Sequence, residues 1–313
     1  MCGSNEKFKV SSLCCPKSGL GVDERWLVTI GKWKPEETQS FRMANRNFFQ
    51  ADERDFVRCL EKYIKRLEQE FMRFKEVIVL WTLHPWERDA RLAKEAIENG
   101  QEAYAVLVEI ACSRSSEELL GARKAYHSLF DQSIEEDASL NIMGPERKLL
   151  VALVSAYRYE GSSTVKEDEA KYDANAIKNA DKNKLLEDDE VVRILATRSK
   201  RHIQEVYKQY KPNNNKTLEE DLETTLILKH TVQCLCSPYK YYAKVLNESL
   251  DDGADEKIKK ALNRVIVTRA DVDMKKIIDE FQTQHGVSLS KKIEDSARGS
   301  YKDFLLNLVA RGN

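Results

Sequence analysis

The chain repeats itself, and that constrains its fold more than any single motif. Three segments share an apolar run followed by Ser or Thr and then Arg: "IACSRS" (110–115), "ILATRS" (194–199) and "VIVTRA" (265–270). A second match lies downstream. Gly144 follows Arg114 by thirty residues and Gly299 follows Arg269 by thirty, and each glycine opens an apolar segment, "PERKLLVALVSAYR" or "SYKDFLLNLVAR". After Arg198 the chain reaches "LKHTVQCLCSPYKYY" at a similar distance. An earlier relative, "FKEVIVLWTLHPWERDARL" (74–92), reads as the end of a first copy whose Arg is lost, with "TIGKWKPEE" as its equivalent segment. Four units of roughly 70 to 80 residues are in the size range at which stacked helical units share a core.

Only 12 Gly and 6 Pro interrupt a chain rich in Leu, Lys, Glu and Ala, so the units are helical. Val192, Leu195, Ile203, Val206 and Tyr210 recur at helical spacing; Ile277, Ile278 and Phe281 mark another face, with Gly286 as its C-terminal stop. "LLVALVSAY" and "FLLNLV" are apolar nearly all round, which places those helices inside their units. The polar stretch 160–184 reads as a linker with helical pieces. "YKPNNNKTLEED" (210–221) reads as a loop, because Pro212 and three Asn break the helical pattern.

A net charge of -1 argues against an electrostatically driven nucleic-acid binder. The seven cysteines are spaced as neither a zinc site nor a disulfide framework, which points to a reducing compartment. "MCGSNEKFKVSSLCC" lacks the apolar core of a signal peptide, and no window is apolar enough to span a bilayer, so membrane contact is expected at the surface. The five His are scattered, and no G-x-x-x-x-G-K-[ST] loop is present.

Four helical repeats, the "TRS" element, "GLGVDE" near the N-terminus and the closing "RGSYKDFLL" resemble annexins, while "WTLHPWERDARLAKEA" and "KLLVALVSAYRYEG" are similar to a divergent plant branch of that family. The resemblance covers about residue 17 to the C-terminus. It implies an all-α fold of four annexin repeats of about five helices each, stacked in a curved disc. It also implies calcium-dependent binding of an anionic phospholipid membrane surface, no enzyme activity, actin or other annexins as partners, and a cytoplasmic protein that turns peripheral when calcium rises. The expected division is an N-terminal segment 1–16, repeats at 17–99, 100–160, 185–249 and 250–313, and a linker 161–184.

The family's calcium loop is G-x-G-T with a carboxylate some forty residues later. Calcium takes about six to eight oxygens at ~2.3–2.6 Å, and loop carbonyls supply several of them. Glycine permits the tight turn that aims successive carbonyls at one point. In repeat one Gly19 and Gly21 match the loop, Lys17 stands where a third carbonyl arises, and Val22 replaces Thr. The ungapped acid position is Gln69, so Glu70, or else Glu68, is the expected carboxylate. The plain alternative is a glycine turn capped by Asp23 and Glu24 at a helix start. In repeat four Asp251 aligns with the first Gly, Gly253 is kept, and counting places Ser296 at the acid position with Asp295 beside it. There too the alternative is an acidic helix N-terminus.

Repeats two and three, with "ENGQEA" and Asn141, and "LLEDDEVV" and Thr225, lack a competent set and are expected to act as spacers. Cys112 and Cys234 fall where plant annexins carry a cysteine pair linked to redox chemistry, but both lie in apolar stretches that favour buried structural thiols. Lys32 stands near a His linked in some plant annexins to peroxidase activity, so that activity finds no support. Trp26 and Trp33 flank the first loop, and Trp26 reads as a packing residue rather than an interfacial one. The competing functional expectation is a calcium-independent helical scaffold for proteins or cytoskeleton whose calcium sites have decayed.

Overall fold

In the computed structural model of the chain, residues 71–155, 158–161, 164–182, 184–210, 217–222, 225–251 and 253–311 are described. Among them the regular elements are helices, with no β-strand. Helix α1 runs through 71–82. Successive sets of five follow. The first is α2 (Pro85–Asn99), α3 (Tyr104–Ser113), α4 (Ser116–Phe130), α5 (Ile134–Asn141) and α6 (Glu146–Val154), with a 3-10 turn at Gln101–Ala103. The second is α7 (Glu167–Asn179), α8 (Asp189–Thr197), α9 (Lys200–Tyr210), α10 (Leu218–Asp221) and α11 (Leu226–Cys236). The third is α12 (Pro238–Ser249), α13 (Glu256–Arg269), α14 (Met274–His285), α15 (Leu289–Ser296) and α16 (Gly299–Ala310). Each set begins one helix before its loop. The stretch read as a linker contains α7.

Local chemistry fixes the helix ends. Ser115 with Glu118, and Ser133 with Glu136, close capping boxes at the starts of α4 and α5. Thr217 and Glu220 form a third, which winds α10 out of the segment read as a loop. Capping chemistry there prevails over the breaker pattern that precedes it. Gly286 ends α14 at φ 69°, and Asp131 ends α4 at φ 53°. Gly144 and Gly299, the pair found by spacing, both take positive φ, 94° and 59°.

The chain divides into two units. In the unit of residues 83–241, α2 packs on α3 and α4, α7 on α9, α6 on α3, α5 and α8, and α11 on α3 and α9. Leu107, Val108, Leu149, Leu150, Ile194 and Leu228 are fully buried there. Each such side chain contributes about 1.5–3 kcal/mol. Cations from elsewhere in this unit cap the carbonyl ends of two Arg-motif helices. Lys200 Nζ donates to Ser113 O (3.1 Å) and Arg114 O (2.9 Å) at the end of α3. Arg158 Nη1 and Nη2 donate to Arg198 O and Leu195 O, both 2.6 Å, at the end of α8. Cations on the carbonyl ends of helices satisfy both orphan acceptors and the helix dipole.

In the unit that holds residues 71–82 and 242–311, α13 packs on α16, and α15 on α14 and α16. Asn263, buried in α13, donates to Arg73 O (3.3 Å) and Glu76 Oε2 (3.1 Å) and accepts from Tyr301 Oη (2.6 Å). Arg311 stacks on Trp81 with 5.2 Å to the ring centroid. No described helix is long and apolar enough to cross a membrane.

Candidate functional site

In each five-helix set the loop after the first helix is held by different bonds. In the first set Gly100 adopts φ 75°, ψ −154°, a conformation reserved for glycine. Next to it Gln101 Nε2 donates to Glu146 Oε1, 3.0 Å, which fastens the loop to the start of α6. Asn141, at the counted acid position, turns back to Asp137 (Nδ2 to Oδ1, 2.6 Å). Asp137 is 1 % exposed and accepts from Lys94 (2.8 Å) and from Tyr126. Burial pushes the Asp137 carboxyl up, but Lys94, Tyr126 and Asn141 outweigh it and hold the group below the usual carboxylate range. Its oxygens are therefore committed to structure.

In the second set the acidic run serves helix capping. Asp188 Oδ1 accepts from Glu190 N (3.0 Å) and Val191 N (2.9 Å), and Asp189 pairs with Lys148 (2.6 Å). Leu185 and Leu186 are buried, so the loop is packed down as a turn. Thr225 is the N-cap of α11.

In the third set Asp251 is exposed, and its carbonyl accepts from Ala254 N (3.1 Å). Gly253 has nothing near the position of a would-be Cβ, so the loop is open on that side. Asp255 caps α13 through Ile258 N (2.8 Å). Ser296 Oγ donates to Leu250 O, 3.2 Å, and so joins the counted acid position to this loop. Asp295, one residue away, is exposed and pairs with Lys291 (3.0 Å). The expected ligands of repeat one, Lys17, Gly19, Gly21, Glu70 and Glu68, lie outside the described residues, as do Trp26, Lys32 and Trp33. Among the described residues no group of three or more His, Cys, Asp or Glu side chains is placed to hold a metal. A loop of carbonyls with one carboxylate does not require such a group.

Cys112 and Cys234 are buried, 0 % and 1 % exposed. Burial pushes the Cys112 thiol up, against the pull of Arg158 and Lys200. The Cys236 thiol is pushed up to about 12, first by burial and then by Glu219 and Cys112. Thiols held protonated are poor nucleophiles, which favours a packing role.

Sequence reasoning missed the acidic partner of each repeat Arg. Arg114 forms a two-pronged pair with Asp89, Nε to Oδ2 at 2.6 Å and Nη2 to Oδ1 at 2.8 Å. Arg198 Nε meets Asp173 Oδ2 at 2.7 Å, and His202 Nε2 shares that oxygen at 2.8 Å. The signal was an Asp at one fixed offset before two of the Arg residues.

The annexin family model matches residues 88–153, 172–226 and 241–308. The chain is 47% identical over 302 residues to annexin D4 of Arabidopsis thaliana, with 94% of each chain covered. A structure of annexin III aligns with TM-score 0.69 and 27% identity, covering 77% of this chain and 76% of that one. The structure of chicken annexin V aligns with TM-score 0.66 and 27% identity, covering 96% and 93%. With three matched segments, each carrying its Arg motif, and near full-length similarity to a plant relative, the chain belongs to the annexin family.

Proposed function

We propose that this annexin binds anionic phospholipid membranes peripherally when calcium rises at the cytoplasmic surface, and that the loops of repeats one and four hold the ion. The family is known for calcium-dependent phospholipid binding. Calcium bound in such a loop bridges protein oxygens to a lipid phosphate. In repeat one the carbonyls of Lys17, Gly19 and Gly21 face the ion, and Glu70, or else Glu68, supplies the charge. In repeat four the carbonyls at Asp251 and Gly253 serve, with Asp295 as the carboxylate.

The observation that carries repeat four is the Ser296–Leu250 contact, which brings the end of α15 to the loop. The open side at Gly253 leaves room for an ion, and Asp295 must exchange Lys291 for it. Co-sedimentation with phosphatidylserine vesicles, with and without calcium, tests the reading: a clear rise in the pelleted fraction on adding calcium is expected. Pelleting that millimolar calcium does not raise removes it. Glu70→Gln is expected to move the calcium titration to higher concentration; an unmoved curve assigns the role to Glu68.

A second reading, a calcium-independent scaffold for actin or other proteins, is favoured by Asn141, Thr225 and Ser296 at the three counted acid positions. Calorimetric silence towards calcium, together with calcium-independent capture of actin, selects it.

A further inference from the structure

We propose that repeat two contacts an anionic bilayer without calcium, through an apolar tip at Leu140 and Met143 that the Gln101–Glu146 hydrogen bond sets in place. This rests on the reading that the loop ends of this annexin face the membrane.

Where a calcium ion would join the two loop segments of a repeat, a direct amide–carboxylate bond joins them here, at 3.0 Å across 45 residues of chain. The tip itself is residues 138–145, "ASLNIMGP", a run without a charged side chain. Met143 is 71% exposed and Leu140 66%, while Ile142 between them is fully buried and pins the run to its unit. The backbone of Met143 also lies beside the buried Tyr104 phenol. Gly144 and Pro145 then turn the chain into α6, where Arg147 is exposed. Two unbranched or flexible apolar side chains, held on a fixed backbone with a cation one turn away, suit the boundary between acyl chains and anionic headgroups.

The test uses the full-length protein and phosphatidylserine/phosphatidylcholine vesicles in excess chelator. A residual vesicle-bound fraction is expected without calcium, weakened about tenfold by Met143→Asp with Leu140→Asp, and reduced by Gln101→Ala. The calcium-dependent part is expected to persist in both variants. Met143→Trp is expected to be quenched by brominated lipid in chelator. Binding that vanishes in chelator and returns with calcium overturns this proposal and leaves the calcium reading intact. Binding absent under both conditions overturns the calcium reading as well. Lack of quenching, or a dimer without vesicles that Met143→Asp disperses, also overturns it; the dimer would assign the tip to a second copy of the chain. Unchanged thermal unfolding of each variant keeps the comparison free of misfolding.

Discussion

Arg114 and Asp89 stand 25 residues apart in sequence and share a buried two-pronged ion pair, and Arg198 and Asp173 repeat the relationship at the same separation. The Arg ends the second helix of its set and the Asp lies in the first, so the pair bolts the two together. The same offset before Arg269 finds Lys244. Arg269 accordingly turns to Asp273, four residues ahead (Nε to Oδ1, 2.8 Å), and its guanidinium lies over Tyr242 at 5.0 Å. The motif is kept in the third set while its partner has changed. Asp89→Ala should therefore unfold the protein at lower urea, with a loss of about 3–5 kcal/mol, because Arg114 is left buried without its counter-charge. A loss below about 1 kcal/mol, the range of a surface pair, would place the pair in solvent.

How much of this was readable in advance follows from residue type. The Arg motifs and the paired glycines were visible because they recur at fixed spacing. The polar composition of 160–184 reads as a linker with helical pieces, and α7 is such a piece, packed into the fold. Its buried stripe is Ala170, Asp173, Ala174 and Ile177, at helical spacing but with small residues and one carboxylate. Hydrophobicity alone cannot see a stripe whose central residue is an Asp paired across the core. The loops gave their glycines and acids to the eye, but Glu146 was missed, since the count pointed to Asn141 and the bond to Gln101 depends on how the chain turns at Gly144.

Asp131 is a non-glycine residue held at φ 53°, at the end of α4, in the place that Gly286 takes at the end of α14. Left-handed backbone costs an L-residue about 1 kcal/mol or more, although Asp is among the more tolerant types, and a carboxylate is disfavoured at a helix C-terminus. Asp131→Gly is expected to stabilise the protein by about 0.5–1 kcal/mol, and chemical denaturation would read it as a higher midpoint with unchanged slope. A fall in stability would show that the Asp side chain makes a compensating bond.

The Asp137 cluster gives a pH dependence with a definite sign. Its carboxyl is held below the usual value of 3.8, so its contribution is fully present above about pH 4 and is lost as pH falls through the lower folded value. Lys94 is raised, chiefly by its hydrogen bond to Asp137, so the pair stays charged until pH rises beyond 10.5. Asp137→Asn should cost about 1–3 kcal/mol at neutral pH, from weakened bonds to Lys94 and Tyr126. The difference between variant and wild type should shrink in acid, and denaturation at pH 7 and below pH 3 measures it. A difference independent of pH would mean that the cost is steric.

The Ser296–Leu250 bond offers a direct measure of what repeat four lacks. Ser296 is 8% exposed, and its hydroxyl proton points at a loop carbonyl. Ser296→Asp replaces that donor with a carboxylate at the acid position that counting from Arg269 gives. Without calcium, the new charge faces a carbonyl oxygen with no cation between them, and a loss of about 1–3 kcal/mol is expected. With calcium in the loop the new carboxylate gains a cation to face, so the loss should be recovered, with about 2.7 kcal/mol returned at a free concentration near 100 times Kd. Thermal unfolding in chelator and in calcium reads both halves of the cycle, and calorimetry should find stronger calcium binding than in the wild type. If calcium stabilises the variant no more than the wild type, the loop after α12 does not present its carbonyls to an ion, and the calcium response must come from repeat one.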